Sequence, residues 1–387
     1  MVAGPAVYLD ANATTPVDPR VAEAMFAALT GIHGNPSSGH TAGREARRAV
    51  ESARREVAAL AGAERPDEIV FTSGGSESNV TAIRAALAAR PGRREVVTSS
   101  VEHASVEAAL EHLATTDGIV IRRLPVDGHG RLDLGAYRAV LGPETALVTL
   151  MSANNETGTL FPIADLVPLA HAAGALFHTD AVQAAGRLDL SVATTDVDLA
   201  SFSAHKLHGP KGVGALYVRR GTPFSSLIAG GSQERGRRAG TENVPGIVGF
   251  GVAARLALAN SETDHLAHLR DRLEAEVLAT LPGTLVLGDR NARLANTACL
   301  AFPGSYAEMM LHRLDQAGIA ASAGSACATG GTLPSRVLLA MGLRHLAGST
   351  IRFSLSRFNT DADIDRLLGV LPAIAREARL AISESAA

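Results

Sequence analysis

The sequence predicts an α/β fold: a mostly parallel sheet flanked by helices in a large domain, with a smaller α+β domain beside it. Three observations carry this. From about residue 50 to 220, short β-rich runs alternate with helical patterns, and strands separated by helices build a parallel sheet covered on both faces. After a Gly/Arg-rich stretch over 230–240, a long helical run over 245–281 ends at Pro282-Gly283, and shorter strands and helices follow it. At 387 residues, the chain also exceeds what one hydrophobic core usually organises. The expected division is 14–258 for the large domain, with 1–13 and 259–387 forming the small one.

The strands expected in the large domain are 68–72, 95–98, 119–121, 146–150, 175–178 and 213–217, each rich in Val, Ile, Leu, Phe or Thr. Amphipathic stretches at 106–113 and 163–173 supply helices between them. In the small domain the strands are 284–287, 297–302 and 350–355. Nothing in the chain repeats.

Open α/β sheets bind ligands at the carboxyl ends of their strands, so the residues just after each strand are read for chemistry. The first strand runs into Ser73-Gly74-Gly75-Ser76-Glu77-Ser78-Asn79 and a helix expected from about Val80 to Ala89. A strand, a glycine turn and a helix N-terminus cradle an anion, because free N–H groups and the helix dipole favour it. The Gly-Lys-Ser/Thr ending of a nucleotide loop is missing, and a plain capped turn explains the same glycines. His103, in Val101-Glu102-His103-Ala104-Ser105, follows the second strand. It is placed to stack on a flat ring and shuttle protons, as a catalytic residue, or simply to start a helix. Asn154-Asn155-Glu156-Thr157-Gly158 is a polar cluster after another apolar strand. Asp180 follows the strand ending at His178, where a carboxylate pairs with a protonated pyridine nitrogen or caps a helix.

The basic residues point the same way. Of 36, only Lys206 and Lys211 are lysines. Arginine does not lose its proton at biological pH, whereas a desolvated ammonium can become a nucleophilic amine. Lys206 stands in Ser201-Phe202-Ser203-Ala204-His205-Lys206-Leu207-His208-Gly209-Pro210-Lys211-Gly212, after the apolar run Asp198-Leu199-Ala200. A lysine at the end of a buried strand before a Gly/Pro turn suits a Schiff base with an aldehyde cofactor; two stray surface lysines are the alternative. An anion cradle, a ring platform, an acid for a ring nitrogen and a Schiff-base lysine at strand ends of one sheet together fit pyridoxal 5'-phosphate.

Composition narrows the rest. A net charge of −3 gives no reason to expect a nucleic-acid surface, and no apolar run is long enough for a bilayer. Met1-Val2-Ala3-Gly4-Pro5 lacks the features of a signal peptide. Two cysteines in a chain this long argue for a reducing compartment, expected to be the cytoplasm. No metal is expected: there is no Cys-x-x-Cys, and His265 and His268 lie in a charged stretch that reads as a solvated helix face.

Taken together, the chain resembles the cysteine desulfurases, fold-type-I pyridoxal-phosphate enzymes of the class V aminotransferase group, and their housekeeping and nitrogen-fixation branch above all. The resemblance runs from Tyr8-Leu9-Asp10-Ala11-Asn12-Ala13-Thr14-Thr15-Pro16 to Ile351-Arg352-Phe353-Ser354-Leu355. Between them lie Gly34-Asn35-Pro36-Ser37-Ser38, Glu102-His103, Asn154-Asn155-Glu156, Arg237-Arg238-Ala239-Gly240-Thr241-Glu242-Asn243 and Ser322-Ala323-Gly324-Ser325-Ala326-Cys327. It implies removal of sulfur from L-cysteine, giving L-alanine and a persulfide on Cys327. It implies that Lys206 forms the Schiff base and that Gly75, Ser76, Ser203 and His205 hold the phosphate. Thr241 would reach the phosphate of a partner subunit, which makes the enzyme a homodimer. Asp180 would pair with the pyridine nitrogen, Gln183 with the ring hydroxyl, and His103 would stack on the ring. Asn155, Arg352 and Asn35 would bind substrate, a forked guanidinium suiting the carboxylate.

Cys327 also stands out by itself, in the small-residue stretch Gly324-Ser325-Ala326-Cys327-Ala328-Thr329-Gly330-Gly331; stretches of that kind let a thiol reach both a substrate and an outside acceptor. The family implies a sulfur acceptor such as an iron–sulfur scaffold, with nitrogenase maturation and tRNA thiolation equally open, and transient ligation of a cluster iron by Cys327. Cys299, in an apolar strand pattern, reads as inert core. Ala323 and Ala328 stand where the family commonly carries small hydroxyl residues. A class V aminotransferase or a selenocysteine lyase is the alternative activity.

Overall fold

The computed structural model describes residues 6–259, 263–323 and 334–385. Its strands in chain order are β1 (Val7–Tyr8), β2 (Ile69–Thr72), β3 (Glu95–Ser99), β4 (Val120–Leu124), β5 (Thr145–Met151), β6 (Leu176–Asp180), β7 (Leu199–Ser203), β8 (Gly214–Val218), β9 (Leu285–Val286), β10 (Thr297–Ala301), β11 (Ile319–Ala320) and β12 (Thr350–Ser354). Seven of them form the central sheet in the order β2-β8-β7-β6-β5-β3-β4. Only β8 runs against the others, pairing antiparallel with both β2 and β7. The carboxyl ends of β2, β3, β5, β6 and β7 therefore share one edge, and β8 starts there.

Alternation along these strands explains why the sheet is covered twice. Ile69, Phe71, Val97, Val148, Phe177, Phe202 and Ala215 face one apolar cluster. Their neighbours Val70, Val96, Leu147, Leu176, Leu199 and Leu216 face a second. A period of two with apolar residues on both sides is what a sheet between two helical layers requires. The helices Ala104–Asp117 and Ile163–Ala172 cover it where the sequence pattern put them.

A third apolar cluster is separate. It joins Val7 and Leu9 to Leu269, Leu273, Leu300, Phe302, Ile351 and Phe353 around a three-stranded sheet of order β12-β10-β9. The chain start is bound into it: β1 pairs with β11, and Ala11 N–H donates to the carbonyl of Ser354 at 2.9 Å. The helical run expected over 245–281 is two helices, Val244–Ala259 and Thr263–Thr280. Sequence periodicity does not register a bend between two good helical segments. Among the described residues, no single helix is long and apolar enough to cross a membrane.

Candidate active site

The shared strand edge opens into a cavity of about 170 Å³, and its walls come from five strand ends, the turn after β1, and β12.

One wall is built to approach an anion closely. β2 ends at Thr72, and the helix Gly75–Ala89 begins with no side chain capping its first turn. The helix starts five residues sooner than the sequence pattern suggested, so Gly75 and Ser76 lie at its amino end. Two glycines are sterically required. A Cβ on Gly75 would stand 2.9 Å from Val182 Cγ2, and one on Gly214 would stand 2.6 Å from the Gly74 backbone. Ser203, the last residue of β7, and His205 complete this wall. Burial first, then the nearby Lys206 and Lys211, push the His205 imidazole down to about 4. It is therefore neutral at neutral pH, and its Nδ1 lies 3.1 Å from Thr14 Oγ1.

The same cavity carries a buried carboxylate. Asp180 closes β6, 7 % exposed; its Oδ1 accepts from Val182 N–H at 3.0 Å and its Oδ2 from Asn79 Nδ2 at 2.8 Å. His103 is the N-cap of the helix Ala104–Asp117, its Nδ1 accepting from Ser105 N–H at 3.1 Å. Helix start and cavity wall are thus one residue: the helix-start reading of His103 holds, and the residue also lines the cavity. Beneath it lies Glu102, whose Oε1 accepts from Ser99 Oγ at 2.6 Å and Met151 N–H at 3.1 Å. Burial pushes this carboxyl up to about 8, against those two hydrogen bonds.

Lys206 reaches the cavity from the single helical turn Ala204–Lys206 after β7. Its Nζ donates to the carbonyls of Asn12 and Ala13. Gln183 Nε2 donates to the same Asn12 carbonyl at 2.9 Å. On the small-sheet side Arg352, 2 % exposed, donates to Asn155 O at 2.9 Å and Asp10 Oδ1 at 2.8 Å. Its Nε is buried, with no hydrogen-bond partner among the described residues.

Of the residues read from the sequence, Gly75, Ser76, His103, Asn155, Asp180, Gln183, Ser203, His205, Lys206 and Arg352 all line this cavity. Thr241 lies outside it, on a neighbouring groove with Ser73 and Gly212. Asn35 is exposed, its Oδ1 accepting from Ser37 N–H at 2.9 Å. Cys327 falls outside the described residues. Cys299 is 1 % exposed within β10, and burial pushes its thiol up to about 12, as an inert core thiol should be. Three contributors were quoted only as parts of motifs and given no role: Asn12, Asn79 and Ser105. For Asn79 and Ser105 the available signal is a polar residue on a helix that covers the sheet, which needs a buried partner; Asn12, in the turn after β1, carries no such signal.

Residues 7–367 match the family model described as aminotransferase class-V. A cysteine desulfurase of Cereibacter sphaeroides is 56% identical over 376 residues, covering 96% of each chain. One from Gluconacetobacter diazotrophicus is 52% identical, covering 97% of this chain and 94% of its own. Among solved structures, a NifS-like protein superposes with a TM-score of 0.90 at 36% identity, covering 96% of this chain and all of its own. SspA in complex with cysteine gives 0.79 at 33% identity, covering 92% of this chain and 100% of that one.

Proposed function

The chain belongs to the class-V aminotransferase family and is a cysteine desulfurase of the nitrogen-fixation and housekeeping branch, and on that premise we propose how its residues divide the work. Members of this family depend on pyridoxal phosphate. The cavity fits that group: Gly75 and Ser76 at the uncapped amino end of the helix Gly75–Ala89 would hold an anion, and the buried carboxylate of Asp180 lines the same cavity. When bound, the cofactor supplies an electron sink that accepts the pairs left by breaking the substrate's Cα–H and Cβ–S bonds.

In this reading Gly75, Ser76, Ser203 and His205 hold the phosphate, and Thr241 of a second copy completes the contact, so the enzyme acts as a homodimer. With the cofactor bound, Asp180 would keep the pyridine nitrogen protonated, Gln183 would meet the ring hydroxyl and His103 would cover the ring face. Lys206 would hold the cofactor covalently and would serve as the acid–base group, taking the α-proton and later returning it to the substrate carbon. Arg352, oriented by Asp10, and Asn155 bind the substrate carboxylate, a pairing that suits a buried guanidinium; Asn35 is assigned to the same substrate.

Cys327, as thiolate, attacks the substrate sulfur. An S–S bond forms as the Cβ–S bond breaks, leaving a persulfide on Cys327; the pair left at Cβ takes up a proton equivalent to the one the Cys327 thiol gave up, and return of the α-proton by Lys206 completes L-alanine. The sulfur then passes to an acceptor such as an iron–sulfur scaffold protein, in the cytoplasm, where thiols stay reduced. The division into 14–258 and 1–13 with 259–387 is supported by the separate apolar cluster that joins the chain start to the C-terminal part.

The observation that carries this reading is the convergence of Lys206, Asp180 and the glycine cradle on one cavity faced by Arg352. Its test is to mix cofactor-loaded protein with L-cysteine and a reductant and to quantify sulfide and alanine in parallel. Equal yields, lost in Cys327→Ala, are expected. Amino transfer to a keto acid, or sulfide release unimpaired in Cys327→Ala, would overturn it.

A further inference from the structure

Arg187 stands behind Gln183 and Lys206, and its guanidinium is surrounded by neutral acceptors. It donates to Gln183 Oε1, to Asn12 Oδ1 at 3.1 Å, and at 3.4 Å to the carbonyls of Ala11, Gln183 and Lys206. Among the described residues, none of its hydrogen bonds goes to a carboxylate. Burial first, and then the charge of Arg352, push its pKa down to about 10, the direction expected of a cation held without a counter-charge. By solvent exposure Arg187 is only half-buried, and it lines a second groove with Lys206 and Asn296; what its neutral partners raise is the question of what the cation orders.

What it orders is an amide whose two ends differ. Gln183 turns Oε1 to Arg187 and Nε2 to the carbonyl of Asn12. Turned over, the amide would set its –NH2 against guanidinium donors and its oxygen against a carbonyl oxygen. Both hydrogen bonds would become repulsions, since guanidinium only donates and a carbonyl only accepts. In the one permitted orientation, the second N–H of Nε2 is left for the cavity that Gln183 lines.

We propose that Arg187 is a positioning residue that locks the Gln183 amide, so that the bound cofactor's ring oxygen always meets a hydrogen-bond donor. This rests on the reading above that Gln183 meets the ring hydroxyl. An Arg187 that merely tied the turn over 11–12 to the sheet would affect stability whichever ring was bound.

The full-length chain, freed of cofactor, is titrated with pyridoxal phosphate and with its 3-deoxy analogue, which lacks the ring oxygen. The readout is the ratio of the two affinities within each variant, which cancels general loss of stability. The unaltered chain is expected to prefer the natural cofactor roughly tenfold, the size of one hydrogen bond to a charged oxygen. Arg187→Met is expected to bring that ratio down to the value of Gln183→Leu, while Arg187→Lys, which keeps a cationic donor on Oε1, retains most of it. Should Arg187→Met fail to fold, Arg187→Gln takes its place: a neutral amide imposes no single orientation, and the ratio falls. An unchanged ratio in the Met or Gln variant overturns the proposal. If Gln183→Leu itself keeps the full ratio, the reading of Gln183 fails first. If Gln183→Leu lowers it and the Arg187 variants do not, only the role of Arg187 falls.

Discussion

Asn79 ties Asp180 to the other side of the cavity: its Nδ2 donates to Asp180 Oδ2 at 2.8 Å and to Ser105 Oγ at 3.0 Å. Ser105 in turn lies 2.8 Å from His103 Nδ1, and its backbone N–H also donates to that nitrogen. With Nδ1 accepting, the neutral imidazole carries its proton on Nε2. One helix residue thus sets the carboxylate and, through Ser105, the orientation of the imidazole.

Asn79→Leu is expected to leave Asp180 Oδ2 buried without a donor, and Asn79→Asp to add a like charge beside it. One lost hydrogen bond to a charged group is worth about 1.5–3 kcal/mol, so cofactor affinity of the apoprotein should fall on the order of tenfold or more in Leu and further in Asp. Equilibrium dialysis measures it; an Asp variant that binds as well as Asn would show that Asp180 is not the group that meets the ring nitrogen.

Lys206→Arg and Lys206→Ala are expected to behave alike. The guanidinium keeps its proton, so it neither forms the covalent link nor accepts the α-proton. Loss of a positioned acid–base group alone costs roughly 10²–10⁴ in rate. Borohydride reduction followed by mass measurement reads covalent cofactor directly. Retention in the Arg variant is the result that would refute the assignment.

The two cysteines should separate cleanly toward an alkylating reagent. Cys299, 1 % exposed with its thiol pushed up to about 12, is expected to stay unmodified in the folded protein, because only the thiolate reacts. Cys299→Ala should leave sulfide production unchanged. Label appearing on the peptide over 297–301 under native conditions would contradict this.

The sequence carried the sheet because a period of two with apolar residues on both sides is a local signal, visible in Ile69-Val70-Phe71 and Leu147-Val148. It carried Lys206 because lysine is so rare here that its position is informative. It did not carry Asn79, Asn12 or Arg187. Their roles lie in which atom faces which across gaps of 101 residues to Asp180, 171 to Gln183 and 19 to Lys206. Nor did it carry the amino end of the helix Gly75–Ala89. Glycine and serine are poor interior helix formers, and the glycine at 75 is explained only by the 2.9 Å approach that a Cβ there would make to Val182.

The last prediction concerns pH. His178 and His208 are fully or almost fully buried, and burial pushes both down to about 4 from 6.5. Neutral in the fold, they take up protons on unfolding once pH drops below 6.5, so stability present above 6.5 is lost as pH falls toward 4. Glu102 works in the opposite sense. Held neutral up to about 8 rather than 4.5, its contribution is full below 4.5 and is lost as pH rises to 8. The Gln side chain has the same shape and keeps an oxygen for Ser99 and Met151, without the titration. Glu102→Gln should therefore gain on the unaltered protein, by a few kcal/mol at most, as pH rises from 5 to 8, while the acid-side loss from the two histidines becomes steeper than in the parent. Urea unfolding of the cofactor-loaded protein at the two pH values reads the difference. Parallel stability curves would show that Glu102 ionises normally and that its burial is relieved before unfolding.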